Sequence, residues 1–597
     1  MRKSSLLLII FCLLFTTSFT PKSTVDNDAN LTKVERLYLT CKIWGFMKYY
    51  HPKVGTGVYD MDDKLLKILS NTNNIQTYDQ LNTYMYRWIH AFGPRKPCAS
   101  CKRRNNNELF LKNFDLSWTQ SSKFSNELKQ TFKDIERNRF EGNHHYVEKG
   151  NAKQFEPKNE PDHLDLNWTD ENQRLLPLFR YWNYIEYFFP YKYQTDQDWD
   201  EVLKEMIPKF LSAENKLDFH LAMLEMVVKV DDSRAGLISS TLNQMPYYNY
   251  LPARIDLIEG QVVVTEIIDE GKAMSNNLKV GDVIKTINGQ PAIDLHNSHK
   301  QYIWGSNESV KDRSVFHTLF MGLKEAPRVT IERNGSVRND QLTLYRYSDI
   351  SYKKNSDKVK WTVPSDSIGY INLDNIGIRE VDAMMRELMD MNVLIFDVRN
   401  SPKGTYKAIA KYLKPTKTVF AKLTLPDYTY PGKFIWQGES TCGEENPDYF
   451  KGKVLLLVNE NTQSHAEFTC MCLQTAPDVV IIGSQTAGTD GEVSNFPLYA
   501  QLNTAMTGMG VFYPDGRETQ RIGIVPDIYV KPTIAGIRSG KDDVLDKAME
   551  VAKDELARLQ EIARLEEQAK LDSIRMNSFQ MDSLMSDTLR VENEGDY

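Results

Sequence analysis

The sequence predicts a multidomain α/β protein with four parts: a helical N-terminal region, a small β domain, an α/β core built on a mixed β-sheet, and a C-terminal helix. Three observations carry this. Aromatic and aliphatic residues recur at helical spacing up to about residue 245. Short β-branched runs separated by Gly-Asp and Asn-Gly turns fill 251–347. Apolar strand-length runs then alternate with helical stretches over 360–535. A chain of 597 residues is long enough for several cores and too long for a single binding module. The formal net charge is -7 and no long basic run offsets it, so there is no broad electrostatic footprint for nucleic acid.

Residues 1–24 have the layout of a signal peptide: Arg2 and Lys3 precede an apolar run from Leu6 to Phe15, then Thr, Ser and Pro follow. That run is short for a membrane span. The rest of the chain is expected to be extracytoplasmic, periplasmic or secreted, with an uncleaved membrane anchor as the alternative. Of seven Cys, Cys12 falls in the leader. Cys98 and Cys101 form the only C-x2-C pair, and a metal site needs four ligands. A local disulfide is the favoured reading, with a redox site and free thiols as alternatives. No metal or organic cofactor is implied. Cys470 and Cys472 lie in an apolar helical stretch and read as packing residues.

The helical region contains a repeat. Trp44 to Pro52, followed by Asp60, Asp62 and Leu65, matches Trp182 to Pro190, followed by Asp198, Asp200 and Leu203, without a gap. Each copy reads as a helix ending near Pro, a turn, and a second helix opening on acidic residues that suit its N-terminus. The division is a helical region at 31–136, a polar linker at 137–165, and a second helical repeat with the start of the core domain at 166–245. His51 aligns with Phe189, so it reads as a packing residue rather than a base. His144, His145 and His163 fall in the linker and read as surface side chains.

In the β domain, 261–268 is a strand, and 271–293 gives a short helix, a Gly281-Asp282 turn, a strand and the Asn288-Gly289 turn. Residues 326–347 read as a hairpin through Asn334-Gly335. The stretch from Gln290 to Met321, carrying Trp304 and several His, is long for a simple connection.

Three sites in the core fall at the carboxyl ends of strands, where open α/β sheets put their chemistry. After the run Lys453–Val458, Ser464 opens a helix. Its hydroxyl is displayed at a strand-to-helix elbow, yet Glu467 completes a capping-box spacing, so cap and nucleophile both remain open. The turn after Phe396-Asp397-Val398-Arg399-Asn400 contains Gly404 and can aim backbone amides into a cavity. The Gly-rich segment 482–494 lacks the Gly-Lys-Ser/Thr ending of a phosphate-binding loop.

The segment Leu278–Gly289 resembles the turn and strand of a PDZ domain. Together with Asp231-Asp232-Ser233-Arg234-Ala235, Asn461-Thr462-Gln463-Ser464-His465-Ala466-Glu467, Gly483-Ser484-Gln485-Thr486-Ala487-Gly488 and Gly523-Ile524-Val525-Pro526-Asp527, it makes the chain similar to the C-terminal processing, or tail-specific, serine peptidases. The chain resembles the secreted tricorn-type branch, and the family resemblance spans roughly residues 35–550. It implies a PDZ-like domain at 251–347, a tail-specific peptidase core at 360–535, Ser464 as the acyl-enzyme nucleophile, and the amides of Gly404 and His465 as oxyanion donors. One branch of the family takes its base from a Lys near positions 489–490, and no Lys occurs from Val454 to Val530. The other uses a His in an Asp-Ser-His segment, where this chain has Ser233 and then Arg234. A guanidinium donates hydrogen bonds and cannot take the hydroxyl proton. Glu518 or Gln520 is the residue that would orient a base, with Gln520 better matched to the branch pattern, and the Arg234 guanidinium would be satisfied by a carboxylate such as Glu518 or by waters.

The resemblance implies hydrolysis of extracytoplasmic polypeptides through an acyl-enzyme on Ser464, with no cofactor. The alternative is a catalytically impaired, secreted peptide-binding or scaffold protein. Partners would be polypeptides, including carboxyl-terminal segments at the PDZ groove, with no nucleic acid and with a homo-oligomer as an option. An amphipathic helix is expected at 536–575, followed by a polar tail at 576–597.

Overall fold

The structure is a computed structural model that describes residues 30–593 apart from 99–100, 102–107, 164–166, 245–248, 324–325, 353–358 and 500–501. The signal-peptide reading of 1–24 lies outside the described residues. Among those described, no helix is long and apolar enough to cross a membrane.

The repeat is a pair of matching helical hairpins. Helix Lys33–Tyr50 corresponds to Glu171–Phe188, and Met61–Asn71 to Trp199–Leu211. Asp60 and Asp198 cap the second helix of each copy by accepting its first free amides. Trp44 and Trp182 are both fully buried, and each indole N–H donates to the first residue of its own second helix, to Met61 O at 2.7 Å and to Trp199 O at 2.8 Å. The copies also exchange charges reciprocally. Lys42 of the first pairs with Asp200 of the second at 2.6 Å, and Arg180 of the second pairs with Asp62 of the first. At their contact a Cβ on Gly45 would fall 1.7 Å from Asn183 Oδ1, so only glycine fits opposite that amide. His51 is buried against Phe92, as its Phe counterpart suggested.

The stretch 137–165 is not a free linker. It forms a hairpin, Val147–Lys149 against Phe155–Pro157, whose Phe155 packs on Tyr184, Phe188 and Phe496. Two of its three histidines depart from the surface reading: His144 is buried, and His163 Nε2 donates to Asp62 Oδ2 at 3.0 Å. Aromatic anchors at wide spacing gave the segment a polar average that hid its packing.

In the β domain, antiparallel strands run in the order Ser336–Gln341, Arg328–Arg333, Val283–Ile287, Gln261–Ile267, Ala253–Ile258. The ladder of the hairpin through Asn334-Gly335 ends at Gln341, one further bond joins Leu342 N to Pro327 O at 3.0 Å, and Tyr345 then leaves the hairpin to bridge Tyr250. The long 290–321 connection is largely helical: Ala292, Val315, Phe316, Leu319 and Phe320 pack on this sheet, while Ser306, Asn307 and Arg313 reach the core.

The core sheet runs Trp361–Ser365, Ile368–Asn372, Val393–Asp397, Lys453–Val458, Val479–Gly483, Ile528–Tyr529, with the first pair antiparallel and the rest parallel. Both faces are covered, which is why its central strands read as unbroken apolar runs. Leu394, Phe396, Leu456 and Val458 point to helices Val381–Leu388, Tyr406–Leu413 and His465–Leu473. Val393, Ile395, Leu455 and Leu457 point the other way, to Val544, Ala548 and Ala552. Those three residues open a helix, Asp543–Asn593, that runs well beyond the expected 575 into the segment read as a polar tail. Arg399 ties it to the sheet by bridging Asp397 at 2.7 Å and Asp542 at 2.8 Å.

Candidate active site

Ser464 stands after strand Lys453–Val458 at φ 58° and ψ -116°, a left-handed backbone that side-chain-bearing residues adopt only under constraint. The constraint is visible. Ser464 N donates to Thr489 O and to Glu467 Oε2, both at 3.0 Å. Glu467 is fully buried and also accepts from Gly488 N at 2.7 Å, Thr489 N at 3.0 Å and Thr486 Oγ1 at 2.5 Å. Burial pushes its carboxyl up against those four donors. One carboxylate thus fastens the Gly-rich loop to the amide of Ser464. Only this half of the capping box forms. The Ser464 hydroxyl caps no helix amide and instead accepts from Arg234 Nη2. The ordinary N-cap also has extended φ, which Ser464 lacks.

Arg234 arrives on a turn after helix Lys216–Val228. The strand that follows it, Gly236–Ile238, joins the edge of the hairpin Val493–Tyr499 and Leu502–Thr507. Asp232 anchors the turn from inside, accepting from Thr507 N at 2.6 Å, Thr507 Oγ1 at 2.9 Å, Thr489 Oγ1 at 3.0 Å and Arg234 N at 3.2 Å. Ser233 exchanges hydrogen bonds with Ser306: its N donates to Ser306 Oγ at 2.8 Å, and its Oγ accepts from Ser306 N at 2.8 Å.

Of the sequence-predicted residues, Ser464 and Arg234 therefore touch, and Ser233 lies one step behind them. Gln520 is buried and reaches Asp232 Oδ1 and Ser306 Oγ, each at 3.4 Å, rather than the guanidinium. Glu518 is not part of the cluster. It accepts from Lys112, from Tyr193 OH at 2.7 Å and from Gln194 Nε2 at 3.0 Å, so its expected pairing with Arg234 is corrected.

Gly404 takes φ 74°, and a Cβ there would lie 3.8 Å from His465 Nε2, so turn and helix start adjoin. Neither the Gly404 nor the His465 amide has an acceptor among the described residues, and His465 N–H is the first free donor of helix His465–Leu473. The His465 ring packs on Tyr406 with 5.4 Å between centroids, and burial lowers its pKa. His51 sits among Phe92, Arg95 and Lys53, and it makes no contact with the cluster.

Sequence reasoning missed Ser306, Asn307, Arg313 and Asp490. The first three come from the long 290–321 connection. Asn307 Nδ2 donates to Thr486 O at 2.8 Å, and Arg313 holds Glu460 O and Gln463 Oε1 in the turn before Ser464. The unusual length of that connection was the available signal. Asp490 lies in the Gly-rich loop and is fully buried. Its Oδ1 accepts from Gly491 N at 2.7 Å, while Oδ2 has no partner. Burial, together with the nearby Glu467 charge, pushes its carboxyl up to about 7 against the pull of the Gly491 amide and Arg234.

Among the described residues, Cys98, Cys101 and Glu141 are the one group close enough to share a metal ion. The two thiols are joined in a disulfide and Glu141 pairs with Arg139, so these donors do not make a metal site.

Sheet and elbow define an S41 peptidase-like α/β fold. Residues 367–530 match the family model described as Peptidase family S41. Among solved structures, mature CPAF complexed with lactacystin is 14% identical, with 64% of this chain and 97% of that chain covered and a TM-score of 0.50. A second structure of mature CPAF is 15% identical over 64% and 96%, also at 0.50. A putative peptidase from Parabacteroides merdae ATCC 43184 is 14% identical over 64% and 96%, with a TM-score of 0.40. At these identities the likeness is one of fold. No match is found among curated proteins.

Proposed function

We propose that the protein is a serine-type peptidase that hydrolyses extracytoplasmic polypeptides through an acyl-enzyme on Ser464. The observation that carries this reading is the strained Ser464 elbow with two free amides beside it. Strain at a φ of 58° is retained only where surrounding bonds over-determine it, and such positions cluster at functional sites. Ser464 Oγ would attack the scissile carbonyl, and the amides of Gly404 and His465 would receive the oxyanion. The match to the S41 family model supports the same chemistry.

The 251–347 domain is read as PDZ-like. Its strand Ala253–Ile258 ends the sheet, and Arg254 and Asp256 from that strand line a cavity of about 410 Å³ with Asn459, Glu460 and Asn461 of the turn before Ser464. An extended peptide added at that edge would be led toward the nucleophile. The Asp543–Asn593 helix exposes Ile562, Leu565, Leu571 and Ile574, the surface that favours a homo-oligomer.

The test is labelling by a serine-directed fluorophosphonate and hydrolysis of casein, with Ser464→Ala as control. Both signals are expected in the wild type and absent from the variant. A second reading, an impaired peptide-binding protein, is favoured by one contact: Arg234 holds the Ser464 hydroxyl where the resembling branch has its base. That reading predicts a silent wild type and a gain of about 10²–10⁴ in rate on Arg234→His.

A further inference from the structure

If Arg234 cannot accept the Ser464 proton, an active enzyme needs another base, and the histidines do not supply one. His465 is turned onto Tyr406 and Gly404, His51 is buried beside Phe92, and His220 is engaged with Ser239 Oγ at 2.6 Å. The loop clamped to the nucleophile offers one. Thr489 accepts the Ser464 amide through its carbonyl, and the next residue is Asp490, fully buried, with one carboxylate oxygen lacking any hydrogen-bond donor. Arg234 acts on both features. Its Nη2 donates to Ser464 Oγ, its charge acts on the Asp490 carboxylate, and its buried Nε is unpartnered. An unpaired buried carboxylate oxygen is expensive, and this one follows directly on the residue that holds the strained Ser464 amide and lies within the field of the Arg234 guanidinium.

We propose that Asp490 is the general base that takes the Ser464 proton, with Arg234 stabilising the emerging alkoxide. This rests on the serine-peptidase reading above. In acylation the Oγ–H proton passes to Asp490 Oδ2, the Oγ–C bond forms, and the carbonyl electron pair moves onto oxygen at the Gly404 and His465 amides. The C–N bond then breaks, and the leaving amine takes the proton from Asp490. In deacylation water gives a proton to Asp490 as its oxygen attacks the ester, and Asp490 returns that proton to Ser464 Oγ. Arg234 keeps its proton throughout, so a residue unable to act as base still contributes as a donor to negative charge.

The groups that set the titration of Asp490 are Glu467 and Glu492, which raise it, and Arg234 and the Gly491 amide, which lower it. Burial adds the largest rise, and Tyr191 and Tyr406 both feel its charge. A base poised near neutrality is well matched to work at pH 7.

The experiment measures casein hydrolysis and fluorophosphonate labelling from pH 5 to 9 for wild type, Asp490→Asn, Asp490→Glu and Ser464→Ala. Circular dichroism verifies that each is folded. Expected are an acid limb near pH 7 in the wild-type kcat/KM, a fall of about 10²–10⁴ in kcat for Asp490→Asn with KM little changed and that limb gone, and partial recovery in Asp490→Glu. Asp490→Asn within threefold of wild type and with the same limb overturns the assignment while leaving the peptidase reading standing. A wild type that neither labels nor hydrolyses, like Ser464→Ala, overturns the peptidase reading and this assignment with it. Should Asp490→Asn fail to fold, the wild-type limb and Asp490→Glu decide: a profile flat through pH 7 overturns the proposal.

Discussion

The helical repeat and the Ser464 cluster both bury charge, and they treat it in opposite ways. In the repeat, Asp62 is almost fully buried yet meets Arg180, Lys48 and His163. Burial alone would raise its carboxyl, but those partners hold it well below the ordinary carboxylate range. In the cluster, Asp490 is as deeply buried but meets one amide and a distant guanidinium, and its carboxyl is pushed up to about 7. Paired charge fixes geometry, whereas unpaired charge keeps a proton exchangeable at neutral pH. The repeat is where the chain uses ions to register two helical hairpins. The cluster is where that cost is left unrelieved.

The largest expected effect is on turnover. Ser464→Ala should lower casein hydrolysis by at least about 10³-fold while leaving the urea midpoint of the helical region unchanged. A matching loss of stability would mean that the elbow is structural like the repeat. Next comes Asp62→Ala, which strands Arg180 in the interior and should cost about 3–5 kcal/mol by urea unfolding followed through Trp fluorescence, with kcat unaltered.

Acid should act on the two carboxylates with opposite signs. Asp62 has a depressed folded pKa, so its stabilisation is complete above its unfolded value near 3.8 and is lost as pH falls below it. Asp490 has a raised folded pKa, so its burial cost is full above about pH 7 and shrinks as pH falls toward its unfolded value. Thermal melts should then show Asp490→Asn more stable than wild type at pH 8, by a smaller margin at pH 5. An equal margin at both would place Asp490 among the paired charges. The smallest effect belongs to Asp200→Ala. Asp200 is the counterpart of Asp62 but is 33% exposed, so solvent enters beside the Lys42 it leaves and the loss should stay below that of Asp62→Ala, at about 1–3 kcal/mol in the same urea assay.

Much of the fold was legible because it rests on local periodicity. The repeat, the β hairpin through Asn334-Gly335 and the core strands each announce themselves within about 20 residues. The elbow was legible too, since Ser464 follows an apolar strand and opens a helix. What failed were judgements from average polarity. The segment 137–165 looked free because Tyr146, Phe155 and His144 are sparse anchors in polar sequence, and the tail beyond 575 looked irregular although its backbone stays helical. Glu518 looked like a partner for Arg234 because it is two residues from Gln520. Glu518 sits in an isolated bridge and Gln520 in the turn that follows, so the two side chains part, and Glu518 turns to Lys112 and Tyr193.

The sequence by itself singled out a serine at a strand end and a glycine turn opposite, and the resemblance marked an arginine where a base would be expected. It determined the twin helical hairpins as well, down to the capping aspartates, because helix starts and buried stripes are written at short range. Only the tertiary structure decided that Arg234 reaches Ser464 across 230 residues, that Ser306 and Asn307 come from the β-domain connection to brace them, and that Asp490 is buried with an oxygen unpaired. Whether a polar atom is satisfied depends on every element packed around it. Burial and pairing are therefore properties of the assembled fold, and no stretch of chain carries them alone.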